Sequence, residues 1–435
     1  MPIILYPASV LHTPQEILEE IDNLFFEFIW PNKKHHVKKK VLIQGIEEGG
    51  LKMPDIFSMV KAIKLMWVKR LLTKDNNFTH IAKRNCKIPD FHQYFSHNMS
   101  QIYLESQPSR FYSQILDYWD EVKEIDLAKM STNEILNEKL CNNKYILSDN
   151  KPFTNSKLST NNINKIKDIL KPDFSLKQPR ELNTLTTIEY NQLISAIPKA
   201  WKAKLKSEKN KITFKPVGEL EVKIGLQYKH IINVKCKDLY WHFINKTYTT
   251  PTAVMKWEEL YYYVNFNWKH IFTLPYETTS ETSLQSMQHQ IINRYFPCNA
   301  FIRTFDTQQT ELCVLCNVED SLEHYFFHCS FVKQLWTLFF AWWNNITGCD
   351  FKLGALDIIF GIMNESKDQV TCVLNYCIIL VKKNTIDCRT QNTNCRFDLF
   401  LSKLKNRLLI EEYIATINGR YIEFVRKWNI VTKSY

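Results

Sequence analysis

Four soft metal ligands fall within seventeen residues of this chain: Cys313, Cys316, His324 and Cys329, a C-x2-C-x7-H-x4-C pattern. Two cysteines separated by two residues form a knuckle that can hold one face of a tetrahedral ion. A histidine and a third cysteine close it into the Cys₃His ligand set usual for structural zinc. The pattern therefore predicts one structural Zn²⁺ held by a short loop. Ordinary buried thiols beside a core histidine are the alternative. His328 is a second candidate for the nitrogen ligand, but it abuts Cys329 and leaves little chain to turn both side chains inward, which favours His324.

Read through to Trp336, the segment CVLCNVEDSLEHYFFHCSFVKQLW resembles the zinc-knuckle segment near the C-terminus of reverse transcriptases from LINE-type, non-LTR retrotransposons. The shared pattern is the knuckle, an acidic turn, Leu-Glu-His-aromatic-Phe, the last cysteine, and an aromatic residue seven further on.

Composition narrows the fold. The 435 residues are 45% hydrophobic and 13% aromatic, enough for two or three domains with their own cores. Only nine glycines occur, which argues against phosphate-cradling loops and turn-dense β folds. Long stretches with 3.6-residue periodicity predict a mostly α, helical multi-domain protein with a small zinc-stapled loop. The net charge of +11 is unevenly spread. Residues 31–75 carry 11 Lys/Arg against 4 Asp/Glu (+7), residues 202–237 carry 10 against 3 (+7), and residues 311–329 carry none against 4 (−4). Basic stretches of this kind point to a polyanion such as RNA or DNA, a solvated lysine-rich surface being the plainer reading. No secretory leader is visible at the N-terminus, and no apolar run reaches the ~18 residues needed to span a bilayer. The longest run, Val370 to Val381, is interrupted by Asn375. A reducing compartment, nuclear or cytoplasmic, is expected for the twelve cysteines.

Along the chain, Thr13-Pro14-Gln15-Glu16 reads as a capped helix start, Pro31 as its stop, and Asp55 as the cap of a second helix running through Leu72. Between them lie Lys33, Lys34, Lys38, Lys39 and Lys40, then a Gly49-Gly50 turn; the second helix carries Lys61, Lys64, Lys69 and Arg70. These nine are the candidate nucleic-acid contacts, with nuclear localisation a second reading of the lysine cluster. Ile4-Leu5-Tyr6-Pro7, the Phe28–Trp30 tripeptide FIW, the lysine cluster, EEGGLKMPD and KAIKLMWVKRLL resemble the end of the thumb and the helical connector that follow the catalytic domain in the same LINE-type family.

The middle is less informative. Nine asparagines between 131 and 165 read as a loose connector, followed by a helical pattern over Ile188–Leu205 broken at Pro198. Helical signals return from Asp238, through Trp257 and Trp268, into the knuckle and on to Phe397–Lys427. The resulting division is 1–75, connector helices with the basic cluster; 76–225, a variable Asn/Lys-rich connector; and 226–435, a helical C-terminal domain containing the knuckle. The resemblance is strong over 1–75 and 225–435 and weak between.

A polymerase palm needs paired carboxylates for two Mg²⁺ ions. No Asp-Asp pair occurs, nor a P-loop, GxGxxG or G-x-S-x-G. The expectation is a non-enzyme without palm or endonuclease: an RNA-handling C-terminal portion of a LINE-type protein, with RNA or DNA as partner, no membrane, and association with a retrotransposon ribonucleoprotein. Two other expectations stand beside it. One is a folded, retrotransposon-derived remnant acting as a structural or interaction protein. The other is a fragment supplied in trans to a separate palm. Because Glu319, Asp320 and Glu323 make the knuckle loop acidic, zinc is expected to staple the loop and the lysines to meet the phosphates.

Overall fold

The computed structural model describes residues 2–31, 36–73, 77–86, 91–96, 109–123, 127, 130–173, 175–182, 184–208, 220–225, 227–362 and 368–432. The fold is mostly helical, as the periodicity implied. The chain divides into two compact units: residues 1–29 with 54–247, and residues 30–53 with 248–435. Among the described residues no helix is long and apolar enough to cross a membrane.

In the first unit, α1 (Pro2–Val10), α2 (Gln15–Ile29), α3 (Ile56–Thr73), α4 (Arg110–Val122) and α5 (Cys236–Lys246) are arranged with α3 at the centre. Asp55 caps α3, accepting from the Ser58 amide at 2.9 Å, as its position before the apolar repeat implied. Val60, Leu65 and Val68 are fully buried there. The side-chain cap expected at Thr13 is not formed. Thr13 Oγ1 has no hydrogen-bond partner, because its backbone is held by Gln114: the Thr13 amide donates to Gln114 Oε1 at 3.1 Å, and Gln114 Nε2 donates to Thr13 O at 2.8 Å.

The asparagine-rich stretch is packed, which corrects the loose connector expected from composition. Ile135, Leu136, Leu140, Ile146, Leu158 and Trp201 share a buried cluster across residues 130–205. The asparagines make its turns. Asn142, Asn150 and Asn162 adopt left-handed φ of 56°, 60° and 61°, a region asparagine tolerates better than most residues. Asn143 is 1% exposed and fully employed, donating to Glu138 Oε2 and Lys139 O and accepting from the Tyr145 amide. A tight hairpin of β1 (Leu147–Ser148) and β2 (Lys151–Pro152) lies within it. Pro198 separates two helices, Thr187–Ala196 and Lys199–Ser207, as the sequence implied. A second antiparallel pair, β3 (Glu221–Ile224) with β4 (Gln227–His230), runs in the register Glu221↔His230 and packs Val222 into the same core as α3.

The second unit is built on α6 (Thr252–Leu260), α7 (Trp268–Thr278), α8 (Thr282–Ile292), α9 (Ser330–Thr347), α10 (Gln369–Thr390), α11 (Phe397–Ile417) and α12 (Tyr421–Thr432). Its core centres on α10, where Val373, Cys377, Ile378, Leu380 and Val381 are buried on nearly every side. Asn375 and Lys382 inside that helix are matched, whereas the buried Asn384 amide has no hydrogen-bond partner. Asn375 bonds both backbone groups of Ile362, at 2.7 and 3.1 Å. Lys382, fully buried, donates to Ile358 O at 2.8 Å and Ile359 O at 3.1 Å, and also to Gln288 Oε1.

Residues 30–53 belong to this unit. Trp30, Val41 and Leu42 are buried, and the Thr249 amide donates to the buried Gln44 at 2.6 Å. The Gly49-Gly50 turn requires glycine for a steric reason. A Cβ on Gly49, at φ +83°, would sit 2.8 Å from Phe272 Cζ, and one on Gly50 would sit 2.2 Å from Gln44 O.

Candidate metal centre

The local fold of the knuckle follows from three short devices. The Cys313 amide donates to Val318 O at 2.7 Å and the Asn317 amide to Cys313 O at 2.9 Å, with Asn317 at φ +55° turning the chain. This tight turn aims the Cys313 and Cys316 thiols to one side. Ser321 Oγ then accepts from the His324 amide at 3.2 Å and starts the return. Residues His324–His328 form a single π-turn, in which the Cys329 amide donates to His324 O at 2.9 Å. At 3.6 residues per turn His324 and Cys329 would lie roughly 140° apart. The wider turn closes that angle, a use of π geometry common at functional sites.

The four side chains expected from spacing therefore meet. Cys329 Sγ lies 3.9 Å from both Cys313 Sγ and Cys316 Sγ, and Cys316 Sγ lies 3.0 Å from His324 Nε2. All four donor atoms fall within 4.8 Å of one another. Metal–sulfur bonds of about 2.3 Å in a tetrahedron require sulfur–sulfur edges of roughly 3.8 Å. The spacing fits that demand, and it is far too long for a disulfide. All twelve cysteines are free thiols. His328 is exposed and outside the cluster, so His324 is the nitrogen donor.

A second layer, which the sequence did not reveal, supports the first. Arg389, at the end of α10, donates from Nη2 to Cys313 Sγ at 3.5 Å and to both oxygens of Asp320 at 3.0 and 3.2 Å. Its guanidinium lies 3.7 Å from the centroid of the Tyr325 ring. Asp320 also accepts from the Asn299 amide at 3.2 Å, and Asn299 Nδ2 donates to Leu312 O at 2.8 Å. No local signal could have found Arg389, which stands 69 residues beyond Asp320. Behind the ligands, Phe296 packs on Tyr325 and Phe326, and Trp336 Nε1 donates to Phe326 O at 2.6 Å.

Electrostatics is divided: it favours the thiolate at Cys313 and the neutral imidazole at His324, but the protonated thiol at Cys329. Burial pushes the Cys329 thiol up to about 12. Burial works the same way on Cys313, but the neighbouring backbone N–H groups and Arg389 outweigh it and leave that thiol lowered. Burial also lowers His324, which keeps its imidazole neutral and able to donate a lone pair. The loop is less acidic at its surface than its sequence implies. Asp320 is 1% exposed and neutralised by Arg389, and Glu323 accepts from the Tyr261 hydroxyl at 3.0 Å; Glu319 alone of the three is exposed.

The nine basic candidates do not form one group. Lys33 and Lys34 lie outside the described residues. Lys38 and Lys40 are exposed and Lys39 half-buried, in the same unit as the knuckle. Beside them His36 stacks on Tyr295 at 5.5 Å and meets Trp30 edge-on. The other four lie on α3 in the first unit. Arg70 is exposed with its guanidinium over Trp67, and Lys69 is half-buried. Lys61 is paired with Glu121 at 2.7 Å. Lys64 is a correction. It is fully buried, donates to Leu11 O at 2.7 Å and to Gln114 Oε1, and is lowered by burial to about 8, so it has no reach to a phosphate. The 3.6-residue repeat carries it onto the inner face of α3, between Val60 and Val68.

Searches against protein-family models and curated proteins find no match to this chain.

Proposed function

We propose that this chain is a zinc-stapled, RNA-handling module resembling the C-terminal portion of a LINE-type reverse transcriptase. It has no polymerase or endonuclease activity of its own in this reading. The convergence of Cys313, Cys316, His324 and Cys329 carries the metal half of it. Three thiolates and one neutral imidazole at tetrahedral spacing, with no fourth position left open for water, suit a structural Zn²⁺. Bound there, the ion would hold the loop closed; Tyr325, Phe326 and Trp336 do the packing.

The nucleic-acid half is supported by what folds with the knuckle. Exposed Lys38 and Lys40 follow within four residues of His36, which stacks on Tyr295. Ammonium groups next to aromatic faces are the elements with which single-stranded nucleic acid is held, by phosphate neutralisation and base stacking. Arg70 and Lys69 are a separate, weaker candidate contact on the other unit. A retrotransposon ribonucleoprotein is the assembly this reading implies.

The test is a fluorescence-anisotropy titration of the full chain against a structured RNA at two salt concentrations. Replacing Lys38, Lys39 and Lys40 together by Gln should weaken binding. It should also lower the slope of log affinity against log salt, by about one for each phosphate no longer neutralised. An unchanged slope assigns the cluster to solvent and overturns the nucleic-acid half. The metal half is read separately, by elemental analysis for about one zinc per chain, the count the four-ligand set predicts.

A further inference from the structure

We propose that the outer face of the α11–α12 hairpin is a self-association surface, on which a second copy of this chain docks. The inner faces of the two helices are spent on the core: Phe400, Leu404 and Leu408 of α11, and Phe424, Trp428 and Val431 of α12, are buried. Glu411 fixes their antiparallel register, accepting from Trp428 Nε1 at 2.8 Å and from Lys427 Nζ at 3.4 Å. The opposite side of a surface helix should be polar. Here it is not. Ile410, Tyr413 and Ile417 of α11 are 58%, 67% and 66% exposed, and Tyr421, Ile422 and Val425 of α12 are 47%, 74% and 41% exposed. Ile410, Tyr413 and Ile417 follow helical spacing, so they make a stripe and not a scatter. The stripe continues across the Gly419 turn into α12.

Two properties of this face identify its occupant. The first is area. At these exposures the six residues offer roughly 650 Å² per chain before any polar rim is counted, the larger part of the ~800 Å² per partner of a stable interface. Scattered apolar residues do not reach that figure. The second is charge. Glu423 and Arg426 are exposed on one rim of α12, three residues apart, flanking Ile422 and Val425. When two copies of α12 cross antiparallel about a twofold axis near residues 424 and 425, like rims meet. Glu423 of each copy then faces Arg426 of the other. The face is complementary to itself, which is what a twofold interface requires. Two hairpins packed this way form a four-helix bundle, the arrangement in which such stripes are ordinarily buried. This inference does not depend on the metal or on RNA.

Analytical ultracentrifugation of the full chain, without nucleic acid, tests it. The expected result is a reversible dimer. Ile422→Asp should weaken it at least a hundredfold while circular dichroism stays unchanged, since Ile422 is 74% exposed. Glu423→Lys and Arg426→Glu should each weaken the dimer, and the double variant should restore it, because exchanging both charges keeps the complementarity. A chain that is monomeric at every concentration overturns the proposal. So does a dimer indifferent to Ile422→Asp, or a monomer that sediments only with phosphatidylcholine vesicles, for then lipid covers the face.

Discussion

Arg389 Nη2 lies 3.5 Å from Cys313 Sγ and 3.0 Å from Asp320 Oδ1, so one side chain joins the first ligand of the cluster to the only fully buried acid of the loop. The ion pair is 8% and 1% exposed. Buried charges of this kind are costly alone and tolerable together. The pair therefore ties α10 to the knuckle and also places positive charge beside a thiolate. Arg389→Met should destabilise the second unit by about 3–5 kcal/mol, because it leaves Asp320 buried and unpaired. Adding Asp320→Asn should recover most of that loss. Zinc release to a chelator should stay on the order of tenfold faster in the double variant, since a partner of a ligand is still missing. Wild-type release from the double variant would mean that the contact to Cys313 does nothing for the metal.

Cys316→Ser should lose the metal and loosen residues 306–345. Two thiols and one imidazole no longer close a shell, and the loop from Asn317 to Ser321 buries no aliphatic side chain of its own. Hydrogen exchange should rise through the knuckle and the start of α9 and remain unchanged in α1–α5, which belong to the other unit. RNA affinity should fall only modestly. If affinity is abolished while the circular dichroism is intact, the knuckle itself grips the nucleic acid.

Lys382 should make stability depend on pH in the alkaline direction. Burial lowers its ammonium to about 7, and it faces two carbonyls and an amide oxygen with no carboxylate among its hydrogen-bond acceptors. Between about pH 7 and the ordinary lysine value near 10.5 the unfolded chain holds a proton that the folded chain does not. Unfolding free energy should therefore rise with pH across that window, by on the order of a few kcal/mol. Lys382→Met should flatten this rise. It should cost more stability at pH 9 than at pH 6, where wild type bears the strain of the buried charge. An identical pH profile in the variant would show that Lys382 stays charged or solvated.

Asn143→Ala should unfold the middle of the first unit first. The side chain satisfies three backbone or side-chain groups at 1% exposure, and leaving them unpaired costs about 1–3 kcal/mol each at most. Limited proteolysis should spare residues 131–165 in the native chain and cut there early in the variant. Early cutting of the native chain would contradict the packed cluster around Leu140 and Leu158.

Local pattern was enough for the four clustered side chains and for several of the helices with their boundaries. Ligand spacing within seventeen residues is a local property, so Cys313, Cys316, His324 and Cys329 were legible without a fold, as was the stop at Pro31 and the cap at Asp55. Choosing His324 over His328 was legible too, for a steric reason acting within a few residues. Tertiary structure decided everything that depends on distant partners. Arg389 reaches Asp320 across 69 residues, and no local pattern announces it. Lys64 reads as one more basic residue until α3 is wrapped on all sides, at which point its position becomes interior. The asparagines between 131 and 165 carry the same composition whether they loosen a chain or turn it. Only the burial of Ile135, Leu140 and Leu158 beneath them shows that they turn it, because the free energy of those turns comes from a core assembled by residues as far off as Trp201.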